Sequence, residues 1–265
     1  MLSYRPSAVV PPAIFLAAAG LLGACRTLPP AAHTPGQAAE EARGRDQPVA
    51  APPSPAHLFP LAAGQWAYRV KSSDRDQPAR GVIRLHRVHD DPAFPWRRRT
   101  VDGRTEHLGT GADGAILVRS VEEPAWDSHT VYDPPLPLVP GDLTPGNQTV
   151  RQARMTVYSL KNPRKTKNRG TCRVVITAAA ARPLRVGSRT YSAIRIHIEY
   201  RAKLRLASVK STCSSSYAPG VGLVAEESEE IVRALVIGWT IRQKLELVEP
   251  GNIDGGKNKP PQPPD

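Results

Sequence analysis

Apolar and polar residues alternate along much of this chain, most clearly over residues 193–206. Ile194, Ile196, Ile198, Tyr200, Ala202, Leu204 and Leu206 fall on one face there, and Arg195, His197, Glu199, Arg201, Lys203 and Arg205 on the other. A strict period of two over so long a run belongs to a strand with one buried and one wet face, as in an antiparallel sheet. A second long strand is predicted over 235–248, with Leu235, Ile237, Trp239, Ile241, Leu245 and Leu247 inward and Gln243 breaking the pattern. Shorter runs predict strands at 65–71, 81–89, 96–101, 115–121, 149–160 and 172–178. Asp102-Gly103 and Asp113-Gly114 are hairpin-type turns. No long segment shows a helical stripe with caps. The pattern predicts an all-β body.

The alternation stops at both ends. Residues 26–56 hold Pro29, Pro30, Pro35, Pro48, Pro52, Pro53 and Pro55 without apolar periodicity, which predicts a disordered, partly extended tether. Residues 250–265 are likewise low in apolar residues and predict a disordered tail. The β-domain is therefore expected over 58–249. At the start, an apolar run from Ala13 to Ala24 follows Arg5. A dozen residues is too short for a bilayer-spanning helix and matches the core of an export signal.

That run ends in Leu22-Gly23-Ala24-Cys25, which resembles the lipobox of bacterial lipoproteins. Small residues at 23 and 24 let the backbone lie extended in a signal-peptidase cleft. The Cys25 thiol is the group that would take the diacylglycerol. The expected organisation is a signal peptide over 1–24, then a lipidated, palmitate-bearing Cys25 and tether over 25–57. Two or more acyl chains anchor stably, so the membrane is the first expected partner. Arg26, where an inner-membrane lipoprotein tends to carry Asp, points to the outer membrane facing the periplasm.

Export changes the reading of the other cysteines. Cys172 and Cys213 remain in an oxidising compartment and suggest one disulfide, with two buried thiols as the alternative. It also bears on the formal charge of +12. A basic balance suggests an anionic partner, here an anionic lipid or cell-wall polymer rather than nucleic acid. The densest cluster is the connection holding Lys161, Arg164, Lys165, Lys167 and Arg169, either an anion-binding loop or a solvated hairpin.

Candidate chemistry is sparse. No metalloprotease, nucleophile-elbow, P-loop or dinucleotide motif occurs, and the cysteines and histidines show no metal-ligand spacing. No catalytic residue, cofactor or metal is expected. Ser214-Ser215-Ser216 reads as a polar loop.

Two segments carry a family resemblance. Phe59-Pro60-Leu61…Gly64-Gln65-Trp66-Ala67-Tyr68 and Tyr217-Ala218-Pro219-Gly220-Val221-Gly222-Leu223-Val224 resemble the opening and a later segment of the DUF3108-like, or TapB-like, envelope lipoproteins. The Pro134–Pro140 stretch and the hairpin leading to Ile196 resemble that family more loosely. The resemblance implies a single antiparallel curved sheet or partly open β-barrel. It also implies scaffold roles: Trp66 and Tyr68 in the core, Gly220 and Gly222 in a tight corner. The function expected is a non-enzymatic binding or structural module in the envelope, with an envelope protein as a further partner. The alternatives are a lipid carrier of the LolA- and LolB-like half-barrel type and an unrecognised hydrolase.

Overall fold

The structure is a computed structural model describing residues 53–73, 77–205, 207–234 and 237–248. The expected signal peptide, Cys25, most of the tether and the tail lie outside the described residues, as do Leu206 and Leu235. The tether was expected to run to residue 57. Instead, one helical turn, α1 (Pro55–Leu58), already belongs to the body. Ser54 caps it by accepting from the His57 N–H, and Leu58 is fully buried.

Thirteen strands follow among the described residues. They are β1 (Gly64–Ser72), β2 (Ala79–Arg87), β3 (Trp96–Arg99), β4 (Thr105–Thr110), β5 (Ile116–Glu123), β6 (Ser128–Val139) and β7 (Gln148–Ser159). Then come β8 (Thr166–Ala178), β9 (Arg182–Val186), β10 (Arg189–Leu204), β11 (Ala207–Ala218), β12 (Gly222–Ala234) and β13 (Ile237–Leu247). All pairings are antiparallel. The sheet curls until β10 pairs with β11 and β13 with β1, so that 12 strands form a closed barrel and β9 is left over. The curved sheet expected from the sequence thus closes into a ring in which every stave has a hydrogen-bonded neighbour on both sides.

Alternation decides what faces inward. Ile194, Ile196, Ile198, Tyr200, Ala202 and Leu204 of β10 all join the inner core, as their period predicts. The opposite face carries Arg173 (β8), Arg201 (β10) and Lys210 (β11), in direct cross-strand register and exposed. A barrel embedded in lipid turns apolar side chains outward; a row of mid-strand cations marks this outer wall as water-facing. No helix among the described residues is long and apolar enough to cross a membrane.

One end of the barrel is plugged. Phe59, just after α1, reaches the inner core and lies 6.0 Å from the Tyr217 ring. The Gly220 N–H donates to the His57 carbonyl at 2.9 Å, and the Tyr68 hydroxyl to the Leu223 carbonyl at 2.9 Å. The two motif segments, some 150 residues apart in sequence, therefore build a single plug. Gly220 and Gly222 turn the corner with φ of 72° and 93°, where a side chain would be strained. At the same end, β9 folds against the start of β10 on the outer wall, and Val186, Ala193, Ala218 and Val224 form a small separate core.

β6 is the irregular stave. It pairs with β7 only as far as Asp133 and with β5 to Val139. Pro134, Pro135 and Pro137 sit where the strand no longer pairs with β7, so their missing N–H groups cost the ladder little there. The Asp133–Pro134 peptide is cis.

Candidate functional site

A 12-stranded barrel is wider than side chains alone fill. Above the plug the lumen keeps a cavity of about 500 Å³. Its wall mixes apolar residues such as Val70, Ile83, Ile198 and Leu245 with five carboxylates (Asp102, Glu106, Glu123, Glu226, Glu230) and three arginines (Arg80, Arg98, Arg104).

Strand register places each charged group. Arg98 of β3 faces Glu106 of β4, and they pair at 2.5 Å, both side chains largely buried. Burial by itself disfavours the Arg98 charge; Glu106 outweighs it and holds the proton more tightly than usual. The Arg98 guanidinium also lies over the Phe59 ring, 5.3 Å from its centroid, and so ties the cavity to the plug. Across the lumen, Glu226 of β12 faces Ser215 of β11, whose hydroxyl donates to it at 2.8 Å. Burial pushes the Glu226 carboxyl up from its ordinary range, and Ser215 and Arg98 oppose this only in part. Toward the rim, Arg104 forms ion pairs with Asp102 (3.1 Å), Glu123 (2.9 Å) and Glu230 (3.3 Å). Trp126 and Trp239 stack there at 5.7 Å.

The arrangement can hold a small polar molecule in a partly dehydrated space. The wall carries more acid than base, and hydroxyls of Ser211, Ser215 and Ser228 add hydrogen-bonding capacity. An acyl chain would meet charged and hydroxyl-bearing groups where it needs an apolar wall, and would shut them off from water.

The sequence-predicted residues fall elsewhere. Lys161, Arg164, Lys165, Lys167 and Arg169 are exposed on the β7–β8 hairpin, away from the cavity wall. Lys167 is occupied: its ammonium donates to the Trp126 and Asp127 carbonyls at 3.0 and 3.1 Å. Asp127 in turn accepts from the Lys161 N–H and the Ser159 hydroxyl. The basic cluster is thus partly a brace between two hairpins.

The expected disulfide is corrected. Cys172 and Cys213 are both free. Cys172 pairs in register with Ala202 and Cys213 with Ile198, on opposite flanks of β10 and four residues apart along it. Two strand spacings of about 4.8 Å already exceed the roughly 7 Å Cα separation a disulfide can bridge. Burial pushes the Cys172 thiol up to about 11 and the Cys213 thiol up further.

Ser214-Ser215-Ser216, read as a loop, lies inside β11, with Ser215 inward at the cavity. The cavity residues were not legible because their partners come from strands β4 and β12, which polar alternation hides. Gln243 gives one signal: its break in the apolar pattern of β13 is where that strand faces the cavity. A second polar cluster, His107, Glu122 and His129, sits on the outer wall, and no sequence spacing announces it.

No protein-family model matches the chain, and no curated protein matches it. Solved structures do. The hypothetical lipoprotein YmcC of Escherichia coli K12 aligns with a TM-score of 0.35 at 9% identity, over 74% of this chain and 94% of that one. An exported protein with a YmcC-like fold from Bacteroides fragilis aligns at 0.39 and 13%, over 72% and 97%. A lipoprotein from Parabacteroides distasonis aligns at 0.34 and 13%, over 72% and 98%. Scores this low leave the barrel and its cavity to stand on the geometry above, and with no family model matching the chain the DUF3108-like resemblance is not confirmed.

Proposed function

We propose that this chain is a cell-envelope lipoprotein, anchored through acyl groups on Cys25, whose barrel is a non-enzymatic binding module for a small polar solute. The observation that carries the binding reading is the closed wall around a cavity lined by Arg98–Glu106, Glu226, Ser215 and the Arg104 cluster. The excess of carboxylates favours a solute bearing an amine or many hydroxyl donors. The same lining argues against the acyl-chain carrier. The lipobox and the water-facing outer wall support the anchored, extramembrane placement.

The test is native mass spectrometry of the Cys25→Ser full chain. A co-purifying small polar species that is lost in Glu226→Gln supports the reading. Co-purified lipid, or an empty barrel after exposure to envelope extract, overturns it.

The anionic partner expected from the charge is carried better by Arg173, Arg201 and Lys210 than by the 161–169 loop. Three cations in direct cross-strand register make a local positive strip that, among the ion pairs of the described residues, only Glu199, 3.6 Å from Arg201, offsets. Exchange of those three for Gln should weaken sedimentation with anionic vesicles at low salt. Equal weakening by a Lys161, Arg164 and Lys165 variant would return the role to the loop.

A further inference from the structure

His107, Glu122 and His129 come from three adjacent staves, β4, β5 and β6. Glu122 and His129 are direct cross-strand partners; His107 is paired with Ser120, one step along β5 on the same face. A bulge at Leu108 shifts the register beside it. The result is that one ligand-competent atom from each side chain lies within 4.8 Å of the others. His107 Nε2 is 3.0 Å from Glu122 Oε1. His129 Nε2 is buried and has no hydrogen-bond partner.

An ordinary hydrogen bond accounts for His107 and Glu122. It does not account for the orphaned His129 nitrogen, a desolvated polar atom that nothing in the chain satisfies among the described residues. The two rings lie with centroids 5.7 Å apart, too far to bond each other and close enough to share a partner.

We propose that His107, Glu122 and His129 form a binding site for a divalent transition-metal ion, zinc above all, on the outer wall of the barrel. Two imidazoles and a carboxylate are a donor set that zinc and its neighbours in the first transition row accept. Ligand atoms around tetrahedral zinc lie roughly 3.3 Å apart, given bonds of about 2.0–2.2 Å. The 4.8 Å within which the three atoms lie must shrink by roughly 1.5 Å to reach that spacing. Glu122 is the most exposed of the measured pair, 33% against 14% for His107, which gives an ion a way in and leaves a fourth position to water. The adjacent cation, Arg97 of β3, is engaged elsewhere: it donates to the Phe94 carbonyl at 2.7 Å and pairs with Asp90 at 3.2 Å. Three staves of one closed sheet hold the ligands rigidly, which is what a preformed site needs. The sheet separates this site from the lumen, so the inference does not depend on the cavity reading.

The experiment uses the metal-stripped full chain. Co²⁺ should add at one equivalent with visible absorption bands of a low-coordinate site, and Zn²⁺ should displace it. His129→Ala and Glu122→Gln should each weaken Zn²⁺ binding on the order of 100-fold, since even supporting residues cost 10–100-fold. Glu122→Gln preserves shape and decides the matter if His129→Ala does not fold. The proposal is overturned if the chain takes up no Co²⁺, or if Zn²⁺ affinity is unchanged in Glu122→Gln.

Discussion

Single residues reveal which polar groups the barrel satisfies and which it leaves under strain. Tyr68 and Tyr217 are both buried in the plug, but only the Tyr68 hydroxyl has a well-aligned acceptor. Tyr68→Phe should therefore destabilise by about 1 kcal/mol and leave the Leu223 carbonyl unsatisfied, whereas Tyr217→Phe should change stability by less than about 0.5 kcal/mol. Urea midpoints of the two variants check this; equal losses would contradict it. Glu226 makes a sharper case. Its carboxyl is raised in the folded state, so the folded protein holds that proton to higher pH than the unfolded chain does. The burial penalty is then fully present above the folded value and vanishes as pH falls below the unfolded one. Glu226→Gln should stabilise the protein by about 1 kcal/mol at pH 8 and by distinctly less at pH 4.5. A gain that is independent of pH would mean the carboxylate is hydrated after all. The thiols give a simple count: unreduced, denatured Cys25→Ser chain should react with two equivalents of thiol reagent, and the native chain far more slowly, because Cys172 is buried, Cys213 is half-buried, and desolvation holds both thiols protonated.

At the level of strands, legibility followed the chemistry of the inner face. β10 was readable because its inward residues are uniformly apolar and its outward ones charged. β11 and β12 were not, because Ser211, Cys213 and Ser215 on one and Glu226, Ser228 and Glu230 on the other face a polar cavity. There the inside is nearly as polar as the outside, and period two leaves no hydropathy signal. β6 was hidden by its prolines, which are tolerated only where the stave loses its partner. The His107–Glu122–His129 cluster was unreadable for a related reason: residues 15 and 7 apart meet only through the pairing of β4, β5 and β6, and β4 itself had no clear alternation. Close backbone approach, by contrast, is written in glycines. A Cβ on Gly170 of β8 would fall 2.0 Å from the Lys203 carbonyl oxygen of β10, and backbone cannot step aside as a flexible side chain can. Gly170→Ala should cost about 1–3 kcal/mol. A thermal midpoint indistinguishable from the parent would show that β8 and β10 can part there without penalty.

For the molecule as a whole, closure and plugging are one problem. A ring of 12 strands needs something other than its own staves to fill one end, and the segment before β1 supplies it. Phe59 meets Tyr217 of β11 and Arg98 of β3, and His57 holds the β11–β12 turn, so a short N-terminal stretch bridges strands from distant parts of the barrel. This is why the two family-like segments, each readable alone, gained a physical meaning only together. It also couples the plug to the cavity, since Arg98 carries Phe59 on one side and Glu106 on the other. Phe59→Ala should then do two things at once. Lost burial and the void left behind should lower stability by about 3–5 kcal/mol. Arg98, relieved of the ring, should gain water and hold Glu106 less tightly. If only stability falls and the occupancy of the lumen by a polar solute stays the same, plug and cavity are separate devices. If occupancy falls in Phe59→Ala and is recovered in Phe59→Leu, an apolar side chain at the sealed end is what keeps the charged lumen in shape.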